Sequence, residues 1–443
     1  MLNKEVFLLE AEERDGDFIV FAPLKGMVLK TDGNGAKLAK KILQDGNTNF
    51  DDLLKIFPAV NRDQLLDLTI DKDCRVSEIG DKIRPDSVTL LPTFDCNLRC
   101  GYCYASGGEN PDFLDWGIAK ASIDFVIKNA LLLGREKCYL EFHGGGEPTF
   151  YWKLMVDSAQ YFKRKANEQN ILPIIKLVSN GFWSMKQLDW VSRNVQVLCI
   201  SFDGPRDIQN IQRPTRNGTG DSFDTVFRSA KAMWKMKKPC VIRITVTDHS
   251  VKRVPEIIKF FIDNFPGFSL DLEPLHVCGR SGPEGWDAPS AENFVENYIL
   301  ADRIARTAGT RLFFSGFNLV KLRRAFCRVA SPNFIITPTG TITSCYEAAR
   351  EEHQFSNLFH YGKYDPYLKE FWFDWEKIRC LQGYGLEKTD LNCKECFCQY
   401  HCAGNCLIKK LNPATLSCEA NTSRCKMTKE IGAYQLSQVL ANS

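Results

Sequence analysis

Short apolar runs alternate with polar residues over the first part of the chain. The runs VFLLEAEE, DFIVFAP and GMVLKTDG are separated by turn residues, so residues 5–31 predict two or three antiparallel strands. Helical spacing follows, because leucines and isoleucines recur three and four positions apart in NGAKLAKKIL from Asn34 and in NFDDLLKIF from Asn49. Strands followed by helices within residues 1–85 predict a small winged-helix-like domain.

From Val88 the pattern changes to a strand followed by a helix, repeated six times. The predicted strands are near-continuous apolar runs: VTLLPTF, CYLEFHGG, IIKLVSNG, VQVLCISFDG, VIRITVT and FSLDLEPL. Helical spacing lies near residues 116–133, 150–168, 185–193, 222–236, 253–264 and 290–308. Apolar strands alternating with helices predict a parallel sheet covered by helices, hence an α/β fold with a partial (β/α)6 TIM barrel over residues 86–310. Ligands of such folds bind at the carboxyl ends of the strands.

Composition narrows the class of protein. A chain of 443 residues is long enough for two or three domains, and a formal charge of +3 gives no reason to expect nucleic acid or an acidic membrane as a partner. The N-terminus lacks the apolar core of a signal peptide and no stretch is apolar enough to span a membrane, so we expect a cytoplasmic protein. In that reducing compartment eighteen cysteines indicate metal, cluster or redox chemistry rather than disulfides.

Three of these cysteines stand together directly after the first strand of the predicted barrel. Cys96, Cys100 and Cys103 have the spacing C-x3-C-x2-C. Iron–sulfur cubanes are ordinarily held by four thiolates, so three ligands would leave one iron open for a substrate or cofactor. The alternative is a zinc knuckle completed by a distant residue.

The triplet, an aromatic residue before its third cysteine and the GGEP that ends the second strand together resemble the radical S-adenosylmethionine (SAM) enzymes over Val88 to Ala308. The resemblance implies that the open iron chelates SAM and that electron transfer splits the cofactor to a 5′-deoxyadenosyl radical. It also implies an electron donor such as flavodoxin or ferredoxin. The role of the protein is then to position and shield the cofactor and the substrate.

The same resemblance assigns contacts to the cofactor. Tyr102 would lie against the adenine. Polar and glycine residues at the ends of the next three strands would contact the methionine amino group, the ribose or the carboxylate: Gly145, Gly146, Glu147, Ser179, Asn180, Ser201 and Asp203. For the last four, an equal alternative is that they cap strand ends and the following helices.

The C-terminal region, residues 311–443, is rich in cysteine and resembles the SPASM domain, which binds two auxiliary [4Fe–4S] clusters. Together with the SAM-binding cluster this predicts three clusters. One auxiliary cluster would take Cys393, Cys396, Cys402 and Cys425. The other would take Cys327, Cys345 and Cys406. Several relatives have a further cysteine where this chain has Lys321, so the second site is open or is completed by one of four others: Cys278, Cys380, Cys398 or Cys418.

The predicted substrate is a ribosomally made precursor peptide. The N-terminal domain resembles the element that binds a leader peptide as an added strand in peptide-modifying enzymes, although it could instead be a packing domain. We therefore predict a radical SAM/SPASM maturase that installs a thioether or carbon–carbon cross-link.

Three alternatives stay open. The first is an anaerobic sulfatase-maturating enzyme, which carries an aspartate where this chain has Tyr346. That position makes Tyr346 a candidate catalytic residue, and Glu347 is a candidate base. The second is an iron–sulfur regulator that binds DNA through residues 1–80, against which the near-neutral charge counts. The third is a zinc-rich scaffold, and in that case the purified protein would be colourless.

Overall fold

The computed structural model describes two compact units. Unit 1 combines the described residues within Met1–Val76, Phe314–Ala330 and Gly383–Ser443, and unit 2 combines those within Ser77–Phe313 and Ser331–Gln382. The described residues are 6–10, 17–44, 69–70, 83–218, 221–331, 333–384, 393, 395–419 and 422–441. Over these ranges, no helix combines the length and the apolar character needed to cross a membrane.

Unit 2 is built on a sheet in which the six predicted barrel strands are neighbours in sequence order and all parallel. The six are β5 Ser87–Leu90, β6 Lys137–Phe142, β7 Leu172–Ser179, β8 Val197–Ser201, β9 Cys240–Val246 and β10 Ser269–Pro274. A short parallel strand, β11 (Leu312–Phe313), follows β10 at the edge. The prediction of an α/β fold with a large parallel sheet is therefore confirmed.

Helices connect these strands at the six predicted places, and one further helix lies between β8 and β9. They are α2 Trp116–Leu132, α3 Trp152–Asn167, α4 Met185–Asn194, α5 Arg206–Gln212, α6 Ser222–Lys235, α7 Val254–Asn264 and α8 Ala291–Thr307. The short helix α5 was not predicted. The local sequence determines where two of these helices begin. Ser184 and Gln187 form a capping box at the N-terminus of α4. Asp115 caps α2 by accepting hydrogen bonds from N–H groups of its first turn.

Residues 331–382 extend the same sheet on its other side. Strand β13 (Ile335–Ile336) pairs parallel with β5, and three antiparallel strands follow, so the sheet has eleven strands. These are β14 Thr341–Thr343, β15 His360–Asp365 and β16 Glu370–Phe373, with α9 Ser356–Phe359 and α10 Trp375–Gln382 beside them. The segment predicted as one auxiliary-cluster domain, residues 311–443, is thus shared between the two units, and the three-domain division stays a prediction.

Unit 1 contains a three-stranded antiparallel sheet followed by a helix, as the apolar pattern predicted. The elements are β1 Phe7–Glu10, β2 Asp17–Ala22, β3 Met27–Asp32 and α1 Gly33–Gln44. Short strands β4 (Thr69–Ile70) and β12 (Lys321–Leu322) pair with each other. Two helices complete the unit, α11 Gln399–Cys402 and α12 Ser423–Ala441. The helix predicted from Asn49 lies outside the described residues.

The core of unit 1 joins N-terminal and C-terminal segments. Ile19, Phe21 and Val28 of the small sheet pack with Phe317 and with Leu436 of α12 in one buried cluster. Residues from opposite ends of the chain therefore form one core, and this explains why unit 1 is discontinuous in sequence.

Candidate active site

The cysteine triplet lies on the loop that follows β5, at the carboxyl end of a parallel strand. Cys96, Cys100 and Cys103 are partly buried and form no disulfide. Backbone N–H groups of Leu98 and Gly107 donate to the sulfur atoms of Cys96 and Cys103, each over 3.4 Å. Burial raises the pKa of Cys100 to about 12, so this thiol ionises at neutral pH only when a metal binds it.

Glycines of the loop after β6 pack against the triplet loop at positions where no side chain fits. A Cβ on Gly146 would lie 1.9 Å from the carbonyl oxygen of Asp95, and one on Gly145 would lie 2.4 Å from the ring of Phe94. The N–H of Gly146 donates to the carbonyl of Thr93 over 3.0 Å. The GGEP loop and the triplet loop therefore form one closely packed surface at adjacent strand ends.

Two arginines distant in sequence hold the triplet loop in place. The guanidinium of Arg280, which is buried, donates to the carbonyl oxygens of Cys100 at 2.9 Å and Gly107 at 2.7 Å. It also donates to the carboxylate of Glu109 at 3.0 Å. Arg350 donates to the carbonyl oxygen of Glu109 at 2.6 Å. These residues carry no motif, so only the fold reveals them.

Replacing Arg280 by methionine should loosen this loop. The change keeps much of the apolar stem but leaves the buried carbonyl of Gly107 without its donor, at about 1–3 kcal/mol. It also removes one of the two donors to the carbonyl of Cys100, which keeps the N–H of Cys103. We expect a lower urea midpoint and faster alkylation of Cys100, mapped by mass spectrometry. Arg193→Met is the control, since Arg193 is exposed and pairs with Asp189 on the surface. Equal Cys100 alkylation rates in the two variants would contradict the role given to Arg280.

The carboxylate of Glu147 connects the ends of β6 and β7. It accepts hydrogen bonds from the N–H and hydroxyl of Thr149, from the hydroxyl of Ser179 at 2.7 Å and from the N–H of Asn180 at 2.8 Å. The side-chain amide of Asn180 lies 3.8 Å from the sulfur of Cys96. The structure thus brings Glu147, Ser179 and Asn180 together beside the triplet. Their bonds here cap strand ends, and their contacts with a cofactor stay predictions.

Asp203 is fully buried and gathers five donors around its carboxylate. Arg213 donates through Nε at 2.9 Å and Nη2 at 3.2 Å, Gln212 at 2.7 Å and the N–H of Thr245 at 3.0 Å. The hydroxyl of Tyr102 also donates to it. Burial raises the pKa of Tyr102, so this phenol stays protonated. Tyr102 and Asp203 are therefore brought together, and the predicted adenine and ribose contacts stay predictions.

One face of the parallel sheet is polar and partly exposed, whereas the opposite face is buried beneath the helices. On the polar face Thr89, Glu141 and Lys176 lie side by side across β5, β6 and β7. Ser201 at the end of β8 lies beside Arg243 of β9. The face therefore offers charges of both signs at the strand ends, next to the triplet loop.

Tyr346 lies against this polar face, beside Thr89 of β5 and Glu141 of β6. Its ring stacks on His143 with the centroids 4.1 Å apart, and its hydroxyl donates to the carboxylate of Glu141 at 3.3 Å. The hydroxyl of Thr89 is also 3.3 Å away. Burial raises the pKa of Tyr346 and lowers that of His143, so a protonated phenol contacts a neutral imidazole at pH 7. Sequence reasoning did not single out Glu141, since nothing local distinguishes it from other strand residues.

In unit 1, four cysteines predicted to share a cluster interact electrostatically. Burial, together with the charges of Cys425, Cys396 and Cys393, raises the pKa of Cys402 to about 12. A hydrogen bond from Cys398 lowers the pKa of Cys396 to about 6. The fold therefore brings Cys393, Cys396, Cys402 and Cys425 together.

Comparison with known proteins defines the class of this site. Residues 90–261, which include the triplet and the GGEP loop, match the Radical SAM superfamily. The chain therefore contains a radical SAM domain. This superfamily implies SAM and a [4Fe–4S] cluster as cofactors.

A curated relative illustrates the similarity in sequence. A cysteine-type anaerobic sulfatase-maturating enzyme of Clostridium perfringens is 30% identical over 201 residues, which is 43% of this chain and 53% of that enzyme. The chain thus spans about half the length of the curated relatives it matches.

Solved structures are similar over more of the chain. The structure of anSMEcpe with bound AdoMet and Cp18Cys peptide has a TM-score of 0.62 at 20% identity and covers 81% of this chain and 99% of its own. Streptococcus suis SuiB bound to the precursor peptide SuiA has a TM-score of 0.51 at 14% identity and covers 93% and 97%. At these identities the likeness shows a shared fold.

The residues present fit the cofactors that the superfamily implies. The three triplet thiols are not in disulfides, and the GGEP loop packs directly against the triplet loop through Gly145 and Gly146. Among the described residues, no three His, Cys, Asp or Glu side chains are close enough to share a single metal ion.

Proposed function

We propose that this chain modifies a ribosomally made precursor peptide by joining two of its residues through a thioether or carbon–carbon bond. The observation that carries the proposal is the cysteine triplet packed against the GGEP glycines at the ends of parallel strands, within the region that matches the superfamily. Fold similarity to peptide-bound SuiB over 93% of the chain supports the choice of substrate class.

In this proposal Cys96, Cys100 and Cys103 hold the SAM-binding cluster, and Gly145 and Gly146 let the cofactor approach the backbone. When bound, the cluster and SAM together supply a 5′-deoxyadenosyl radical that takes a hydrogen atom from the peptide. A flavodoxin or ferredoxin would supply the electron that starts each turnover.

Residues of the chain position the substrate and accept its proton. The modified peptide residue would bind on the polar face of the sheet, close to the Tyr346 hydroxyl. After one hydrogen atom is abstracted and the new bond forms, one proton and one electron must leave the product. The carboxylate of Glu141, 3.3 Å from that hydroxyl, is the acceptor we propose for the proton.

The N-terminal elements of unit 1 would bind the leader segment as a winged-helix-like domain. Within the described residues, β1 and β3 are the edge strands of a three-stranded antiparallel sheet. An edge strand presents unpaired N–H and C=O groups to which an extended peptide can add as a further strand. The alternative for these elements is a packing role.

The C-terminal cysteines would hold two auxiliary [4Fe–4S] clusters of the SPASM type, which brings the proposed total to three. The electrostatic interactions that link Cys402 to Cys393, Cys396 and Cys425 support one of the two sites. Such a site would accept the electron that leaves the product.

A second candidate function is oxidation of a sulfatase cysteine or serine to formylglycine. The 30% identity to the Clostridium perfringens enzyme favours it. Tyr346 weighs against it, because the resemblance places an aspartate at this position in such enzymes. The two functions share the radical chemistry and differ in the product.

The mass of the product and its reactivity towards a hydrazide together distinguish these functions. We expect the anaerobically reconstituted chain, given SAM, a reductant and a peptide encoded next to its gene, to remove two hydrogen atoms per cross-link. Formylglycine would instead yield an aldehyde that reacts with a hydrazide. A Cys96/Cys100/Cys103→Ala variant should leave SAM uncleaved, whereas Cys138→Ala, in β6 outside any proposed site, should cleave it. An unmodified peptide mass, with SAM cleavage intact, would count against the cross-linking function.

A further inference from the structure

A groove in unit 2 lies between helix α2 and strand β16, outside the site described above. Its volume is about 1290 Å³, part of which is open to solvent. One stripe of α2 forms one wall, and the β15–β16 hairpin forms the other. Both walls belong to the same compact unit, so the groove is a feature of unit 2 alone.

The hairpin wall ends in an exposed sheet edge. Over the residues that the structure describes, β16 is the last strand of the eleven-stranded sheet. An edge strand offers N–H and C=O groups to which a further strand can add. Large apolar side chains of this hairpin are also in contact with water, since Tyr367 is 94%, Leu368 72% and Trp372 62% exposed. An exposed apolar patch beside an open edge is typical of an interaction surface.

The side chains of β16 alternate between the helix and the opposite side of the sheet. Phe371 and Phe373 face α2, because their ring centroids lie 5.2 and 6.0 Å from that of Phe125. Side chains alternate along a strand, so Trp372 faces away from the helix. A strand added to β16 would therefore direct every second side chain towards α2 and the others to the side of Trp372.

Charged side chains border the groove, and lysines outnumber acids among them. These residues are Lys120, Lys128, Lys369, Asp124 and Glu370. Within the described ranges, neither Lys128 nor Lys369 forms an ion pair or a hydrogen bond through its ammonium group. The carboxylate of Asp124, in contrast, accepts a hydrogen bond from the Tyr161 hydroxyl at 2.7 Å. The groove therefore offers ammonium groups to an anionic partner.

We propose that this groove binds an acidic stretch of the precursor peptide, which adds to β16 as a further strand. The inference rests on the proposed function for the identity of the substrate, and the stretch is separate from the leader segment assigned to unit 1. Lys120 and Lys128 are eight residues apart on one helix face, which is about 12 Å. Residues i and i+4 of a strand are about 13 Å apart. Carboxylates at these two positions can therefore contact both lysines, while apolar residues between them cover Trp372.

One end of the groove lies at the edge of the sheet where the triplet loop follows β5. Because β13 is parallel to β5 and the next three strands alternate in direction, the β15–β16 turn is at the carboxyl end of β5. Four strand spacings of about 4.8 Å, roughly 19 Å in all, separate β16 from β5. An extended chain covers this distance in about six residues. A peptide held in the groove can therefore place residues about six positions away beside the triplet loop.

A designed strand tests the proposal. The probe is the heptapeptide VEVTVEV with a neutral fluorescent label, in which two glutamates are four residues apart, and VQVTVQV is the uncharged control peptide. By fluorescence anisotropy, the reconstituted full chain should bind the glutamate peptide at least about tenfold more tightly at low salt. The difference should shrink as added salt screens the charges. Equal affinities for the two peptides would overturn the proposal.

A charge reversal in the groove provides the matched variant. Lys128→Glu/Lys369→Glu should weaken binding of the glutamate peptide by about tenfold or more, because attraction becomes repulsion. Lys235→Glu is the control, since Lys235 is exposed at the end of α6. Both variants should cleave SAM as the wild type does. Identical affinities of the double variant and Lys235→Glu would exclude the groove as the binding site.

Hydrogen exchange distinguishes strand addition from a purely electrostatic contact. With the glutamate peptide bound, mass spectrometry should show slower amide exchange in residues 370–373 of the wild type and no change in the double variant. Unchanged exchange at saturating peptide would contradict the addition of a strand to β16. A wild-type dimer that becomes monomeric in Trp372→Lys, measured by sedimentation, would instead assign the edge to a second copy of the chain and overturn the peptide assignment.

The peptide encoded next to the gene separates failure of this inference from failure of the proposed function. If that peptide is cross-linked with the same KM by the wild type and the double variant, only the groove assignment fails. If it stays unmodified while VEVTVEV binds and slows exchange in β16, the proposed function fails and the groove keeps its ligand chemistry. A higher KM at unchanged kcat in the double variant would support both.

Discussion

Gly146→Ala is expected to abolish cluster binding at the triplet. The new Cβ would lie 1.9 Å from the carbonyl oxygen of Asp95 and 2.6 Å from the carbonyl carbon of Phe94. Both are backbone atoms, held by hydrogen bonds from Glu147 to Asp95 and from Gly108 to Phe94, so neither can move aside cheaply. Overpacking costs about 1–3 kcal/mol or more. Here the strain falls on the residue before Cys96, so we expect no SAM cleavage.

The matched control is Gly282→Ala. A Cβ there would approach only Val277, at 3.9 Å, and its backbone is in the ordinary helical region. This variant should bind iron and cleave SAM as the wild type does. To distinguish local strain from global unfolding, far-UV circular dichroism of Gly146→Ala should retain the α/β signature. Normal iron content in Gly146→Ala would show that the two loops are less tightly packed than the contacts indicate.

Asp203→Asn is expected to lower the free energy of unfolding of the cofactor-free protein by about 3–5 kcal/mol, because it leaves the charge of a buried arginine without its partner. Arg213 is 6% exposed and Asp203 is fully buried. The amide also carries one oxygen fewer for the five donors around it. The measurement is urea unfolding without SAM, iron or sulfide.

Asp189→Asn is the control for this second variant, since Asp189 pairs with Arg193 on the surface, where such pairs contribute about 0–1 kcal/mol. The comparison also decides between two roles for Asp203. If the residue only contacts the ribose or carboxylate of SAM, stability without cofactor should match the control, and SAM affinity alone should fall. Loss of stability would show that Asp203 positions Tyr102 and Arg213.

The six barrel strands and their helices could be predicted because burial on both sides of a parallel strand leaves an apolar run, and an amphipathic helix leaves a period near 3.6. Helix α5 was missed because it is short and mostly polar. The continuation of the sheet through β13 could not be predicted either, since a two-residue strand has no periodicity and its partner β5 is remote in sequence.

The residues of the candidate site also divide into those that the sequence predicted and those that it did not. The triplet, Tyr102 and the GGEP glycines stand in short motifs, so their residue types and spacing were enough to select them. The sequence could not identify Arg280, because its partners are mainly backbone carbonyl groups, which every residue has. Glu141 was also missed, because the Tyr346 hydroxyl that contacts it comes from a segment distant in the chain.

By itself the sequence determined the class of chemistry: thiols at cluster spacing after a strand, glycines where backbone must come close, and alternating strands and helices that bring both to one edge of a sheet. The tertiary structure alone decided which charges are buried together and which arginines hold the cysteine loop. The reason is physical. Local periodicity and spacing record the secondary structure and the motif, whereas burial, pairing and cavity shape depend on contacts between segments that only the folded chain brings together.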